Sequence, residues 1–164
     1  MEIGRSFLDT SRFFLTGYLN DIQRCLNILN DEDLWWRPNE ESNSVGNLLL
    51  HVMGSLNQWI LGGIGGAKVH RARQQEFDER SPLSKEDLSS RLNSVLREVD
   101  LAIAAIDSSQ LTNKMQMAGK ELTWMFAIYL MVQHLSTHTG QIIMVTKLRT
   151  GKDLALPQLI DSLP

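Results

Sequence analysis

One cysteine in 164 residues cannot close an internal disulfide, so the fold carries no covalent staple. Cys25 sits among Leu26, Ile28 and Leu29, where a thiol behaves as a small buried hydrophobe and not as a nucleophile. A basic surplus is also missing: nineteen acids against sixteen bases leave a formal charge of −3. A surface that neutralises many phosphates needs the opposite balance, which argues against nucleic-acid binding. No stretch approaches about eighteen apolar residues without a charge, so no membrane span is expected. The opening MEIGRSFLDTSR puts Glu2, Arg5 and Asp9 where a signal peptide needs an apolar core. A cytoplasmic setting is expected. Internal repeats, low-complexity tracts and a convincing strand pattern are missing too.

What remains is 43% hydrophobic and 21% charged, the balance of a folded domain, and the length suits one domain over residues 1–164. Phe7, Phe14, Tyr18, Ile22, Leu26 and Leu29 recur at helical spacing, which predicts a first helix over about residues 3–29. Asn30-Asp31 ends it, and Arg37-Pro38 predicts an extended turn, because proline disfavours helix at the residue before it. Ser44 starts a second helix, with Leu48, Leu49, Val52, Leu56 and Ile60 on its inner side. Four glycines within Gly62–Gly66 stop it, since their backbone-entropy cost is too large for a helix to continue.

The polar stretch AKVHRARQQEFDERS then reads as a surface connection. Pro82, with Ser84 and Asp87 as a capping pair, begins a third helix running from Leu88 to Ile106. Thr112 to Lys120 reads as a loop or short extended turn, and a fourth helix runs from near Leu122 to about Leu148, before Gly151. The expected fold is all-α, a four-helix bundle. Its link between the second and third helices, about twenty residues, exceeds an ordinary bundle loop and is long enough to cross the bundle.

Four histidines occur, and three lie in the two most apolar helices. His134 and His138 are four residues apart, so they share a helical face and can reach one divalent ion. Leu130 and Met131 before them and Val145 after them make that face apolar, which turns the pair inward or into a cleft. His51, between Leu50 and Val52, can meet them from the facing helix, as metal sites in bundles are built. The zinc-protease pattern HExxH is excluded, because Leu135 follows His134 where the general base would stand. Gln141, three residues past His138, is a candidate to orient a metal-bound water or a ligand histidine. His70 falls in a basic loop beside Lys68, Arg71 and Arg73 and reads as solvated. Met125, Met131 and Met144 read as core filling.

Trp35-Trp36-Arg37-Pro38, then Ser44-Val45-Gly46-Asn47-Leu48-Leu49-Leu50-His51, then His134-x-x-x-His138-x-Gly140-Gln141 together resemble the DinB-like (YfiT-like) superfamily, over nearly the whole chain. The segment Arg71-x-Arg73-x-x-Glu76-Phe77 is similar to that of one branch of small members. The resemblance implies a four-helix bundle, commonly a homodimer, in which His51, His134 and His138 ligate a divalent metal. Imidazole donors suit zinc or nickel, and iron as well. Three protein ligands leave a position open for a small-molecule substrate, as reactive zinc sites do.

Some better-understood members are thiol-dependent transferases or isomerases, so the resemblance admits a metal-dependent enzyme using a low-molecular-weight thiol without selecting it. Two alternatives stand beside it: a metal-dependent hydrolase, and a non-catalytic metal-binding or dimerising bundle protein of stress response. No acid lies beside the histidines in sequence to serve as general base, Glu121 being the nearest before His134. An ion held only by imidazoles is expected to leave below roughly pH 6.5.

Overall fold

The computed structural model describes residues 2–80 and 83–157; Pro82, expected at the start of the third long helix, lies outside the described residues. Helix α1 spans Glu2–Ile28 and is followed by a short helix α2, Asp31–Trp35. Helix α3, Val45–Leu56, continues as a π-helical turn over Asn57–Gly62. A short helix α4, Arg73–Asp78, precedes α5, Lys85–Ala104. A 3-10 turn at Ser108–Thr112 leads into strands β1, Lys114–Met117, and β2, Lys120–Thr123, and α6 runs over Trp124–Thr150.

The four long helices form the expected bundle. Each of α1 and α3 packs against both α5 and α6. Their inner faces supply Leu8, Ile22 and Leu26 from α1, Leu49 and Leu56 from α3, Leu88 and Ile103 from α5, and Ile128 from α6, all essentially inaccessible to water. This is the periodicity of 3.6 read from the sequence, now converted into a buried stripe on each helix. Cys25 lies in the same cluster and is fully buried. Among the described residues no helix is long and apolar enough to cross a membrane.

Helix starts and stops follow local chemistry. Ser44 caps α3 by accepting from the Asn47 amide, and Ser84 and Thr123 cap α5 and α6 in the same way. Gly151 closes α6 at φ 64°, a left-handed position that glycine adopts without steric cost.

Two segments differ from the sequence reading. Residues 114–123 form an antiparallel hairpin, with Lys114 opposite Thr123 and Met117 opposite Lys120, so α6 starts after a strand. Its turn is Ala118-Gly119, both at positive φ (52° and 74°), and alanine is not a residue that advertises such a turn. The connection after Gly66 is the second. It is not a solvated strap: it contains α4, which packs along α3, and the side chains of Arg71 and Glu76 are 9% and 12% exposed.

The methionines also divide. Met131 is buried, but Met125 and Met144 are exposed on α6 and fill no core.

Candidate metal centre

His51 lies one turn before the end of α3, and His134 and His138 lie midway along α6, so the packing of α3 on α6 brings the three together. One nitrogen from each falls within 4.8 Å of the others, and this is the cluster that could hold a metal among the described residues. Nε2 of His134 stands 3.0 Å from Nε2 of His51 and 3.2 Å from Nε2 of His138. Two imidazole nitrogens bound to one tetrahedral ion at 2.0–2.1 Å would lie about 3.3 Å apart. The spacing fits.

The other ring nitrogens are engaged in ways that free the inner ones. Nδ1 of His51 lies 2.9 Å from Glu76 Oε2. An ionised carboxylate only accepts, so the proton sits on Nδ1 and Nε2 keeps its lone pair. Nδ1 of His138 lies 2.6 Å from Gln141 Oε1, and the same reasoning leaves its Nε2 as a lone pair. Two lone pairs therefore point at His134 Nε2. A single proton there can face only one of them well, whereas a cation at the centre satisfies all three nitrogens.

Burial is the main reason these rings stay neutral, because removing water disfavours the charged form. Burial lowers His51 below the ordinary histidine value, although Glu76 pulls it back up. It lowers His138 too, against the hydrogen bond that His138 donates to Gln141, with the Arg73 charge adding to the depression. His134 is pushed down to about 3, first by burial and then by the charges of His138, His51, Arg71 and Arg73. Neutral imidazole is the ligating form, so protons compete weakly here.

Glu76 and Arg71 were not identified as site residues from the sequence. Arg71 donates from Nε to Glu76 Oε1 at 2.7 Å and from Nη2 to Oε2 at 2.8 Å, a bidentate pair. Its Nη1 also donates to Gln58 Oε1, and Nη2 to Ser55 Oγ. Nη2 lies 3.1 Å from His51 Nδ1 as well, but both groups are donors, so this is proximity around a shared acceptor and not a bond. The pair packs closely against α3 at residue 54, where glycine presents no side chain. A Cβ there would collide with Glu76 Oε1 and press on Arg71 Nε.

The motifs around Trp35 and Asn47 hold this arrangement in place. Asn47, fully buried, donates from Nδ2 to the carbonyls of Glu76, Phe77 and Glu79. Its Oδ1 accepts from Arg37 Nη2 at 2.6 Å, and that guanidinium also donates to the Phe77 carbonyl. Trp35 packs its ring on Gly46 and donates from Nε1 to the Leu83 carbonyl. Arg37 and Asn47 thus pin α4 by its backbone, and α4 delivers Glu76 to His51. The one sequence signal for this was the Arg71-x-Arg73-x-x-Glu76-Phe77 segment, whose contact with His51 is tertiary.

His70 is exposed and outside the cluster. Glu121 is exposed on β2 and lies 3.6 Å from Lys114 in an ion pair. Gln141 is exposed at the rim, and Thr139 beside His138 is buried with no partner for its hydroxyl among the described residues.

The architecture recurs in solved structures. A DinB-like protein from Bacillus cereus ATCC 10987 matches with a TM-score of 0.70 and 19% identity, over 94% of this chain and 95% of its own. A DinB-like protein from Bacillus subtilis matches with a TM-score of 0.70 and 15% identity, over 92% and 96%. A conserved protein from Enterococcus faecalis matches with a TM-score of 0.72 and 16% identity, over 88% and 97%. At these identities the likeness shows the fold, which is DinB-like. No curated protein matches the chain in sequence. Residues 2–158 match the family described as protein of unknown function DUF1572, and the chain belongs to that family.

Proposed function

We propose that the chain is a metal-dependent enzyme in which His51, His134 and His138 hold a divalent ion and a low-molecular-weight thiol is the co-substrate, for S-transfer or isomerisation. The observation that carries this reading is the approach of three Nε2 atoms, two of them fixed as lone-pair donors by Glu76 and Gln141. The nitrogen set suits zinc or nickel, with iron also accommodated. When bound, the ion supplies Lewis acidity that lowers the pKa of a thiol at its open position.

Each residue has a part. His51 enters with its tautomer set by Glu76, and burial keeps His134 neutral and ready to ligate. Gln141 orients His138. The thiol has to come from outside, because Cys25 is buried and its pKa is raised by that burial. Thiol chemistry is favoured over hydrolysis for a specific reason. Among the described residues no carboxylate joins the three histidines as a possible ligand, and both oxygens of Glu76, which lies against His51, are taken by Arg71 and His51. Among the described residues a water nucleophile would find no free carboxylate beside the ion to serve as general base.

We propose further that the working form is a homodimer paired through α6. Phe126 and Tyr129 near the start of α6, and Met144 and Leu148 near its end, are 47%, 63%, 59% and 60% exposed, and these large apolar side chains support the pairing. A partner's α6 would cover them. Sedimentation of Tyr129→Glu/Met144→Glu against the unaltered chain tests this; a monomer is expected from the variant and a dimer from the parent, and identical masses would oppose it.

Turnover is tested by incubating metal-loaded protein with electrophilic substrates and a panel of thiols. Thiol adducts or thiol-dependent isomerisation, lost on chelation, are the expected result. Hydrolysis without thiol would favour the hydrolase reading, and bound metal with no turnover the non-catalytic one.

A further inference from the structure

The basic segment before α4 carries two arginines whose surroundings differ sharply. Arg71 is buried, and its charge is matched by Glu76 in a two-bond pair. Arg73 is exposed, and none of the ion pairs among the described residues includes it. Its guanidinium lies 5.0 Å from the centroid of Phe77, and that ring in turn lies 4.6 Å from the ring of His51. Phe77 therefore acts as a spacer that holds an uncompensated cation beside the histidine cluster. With Asn47 and Arg37 clamping the Phe77 carbonyl, the base of this arm is fixed while its head stays in water.

We propose that Arg73 recognises a carboxylate on the small molecule that occupies the open side of the three-histidine site. This rests on the metal-centre reading above and names the ligand class for it. A planar guanidinium without a carboxylate of its own is matched in shape and charge by a ligand carboxylate. A phosphate, closer to a double charge, would call for a second cation, and Arg71, two residues away in sequence, is already paired with Glu76.

The test compares two thiol probes, mercaptoacetate and 2-mercaptoethanol, on cobalt-loaded protein, read by the sulfur-to-cobalt charge-transfer band. Metal content is measured on each sample first. The ratio of the two affinities is expected to favour mercaptoacetate, and Arg73→Gln is expected to reduce that ratio about fivefold or more while metal content and mercaptoethanol affinity stay unchanged. Arg73→Lys should restore part of the preference, since it keeps the charge without the fork. An affinity ratio that Arg73→Gln leaves unchanged would overturn the inference, because the preference would then be the ion's own chelation, and the metal-centre reading would survive. A protein that binds no cobalt would overturn both.

Discussion

Glu76 Oε2 lies 2.9 Å from Nδ1 of His51, and this contact joins the connection between α3 and α5 to the histidine cluster. It sets which nitrogen of His51 faces the other two rings. It also makes a stretch that looks like a solvated link into a wall of the site. Glu76→Gln should therefore weaken metal binding by about 10- to 100-fold, the range for removing a carboxylate partner of a ligand histidine. Competition with a chromophoric chelator measures this. Because the change leaves Arg71 buried without its anion, the metal-free protein should also melt earlier. An unchanged dissociation constant would show that Glu76 does not orient His51.

Gly54 gives a second handle on the same pair without removing any polar group. The methyl of Gly54→Ala would occupy the space of Glu76 Oε1 and crowd Arg71 Nε. The helix itself should tolerate alanine, which favours helix over glycine by about 1 kcal/mol. The expected outcome is retained helicity by circular dichroism with weaker metal binding. Full metal affinity in this variant would mean that the Glu76–Arg71 pair can relocate freely.

The depressed histidines give a pH dependence with a defined sign. All three have folded-state values below the ordinary value of 6.5, so between the two the unfolded chain binds more protons than the folded one. Their neutrality stabilises the fold fully above about pH 6.5 and ceases to do so as pH falls towards the folded values, about 3 for His134. Metal-free protein should lose melting temperature steadily from pH 7 to 4.5, above the range where Asp33 and Asp100 begin to protonate. His134→Asn should flatten the curve. For the same reason an ion should be retained below pH 6.5, where unperturbed imidazoles would release it. A melting temperature constant over this range would oppose the burial argument.

Much of this site was legible before the structure, and the parts that were not share a cause. His134 and His138 could be paired because helical spacing alone puts them on one face, and His51 because it interrupts the apolar run of α3. Gly62–Gly66 marked where that helix ends. The missing pieces depend on contacts between distant segments. Glu76 reaches His51 across 25 residues, because the Asn47 side chain binds three carbonyls at the end of α4, and the Arg71-x-Arg73-x-x-Glu76-Phe77 pattern does not by itself say what anchors it. The hairpin was obscured by Ala118, whose positive φ is stabilised by strand pairing and not by its own preference.

The most direct measurement is the metal content of the purified protein by elemental analysis, for the parent chain and for single alanine replacements of His51, His134, His138 and His70. One divalent ion per chain is expected in the parent and in His70→Ala, with the ion largely lost from the other three variants, all still helical. Equal metal in the parent and in His134→Ala, or none in any of them, would contradict a centre built by the three converging Nε2 atoms.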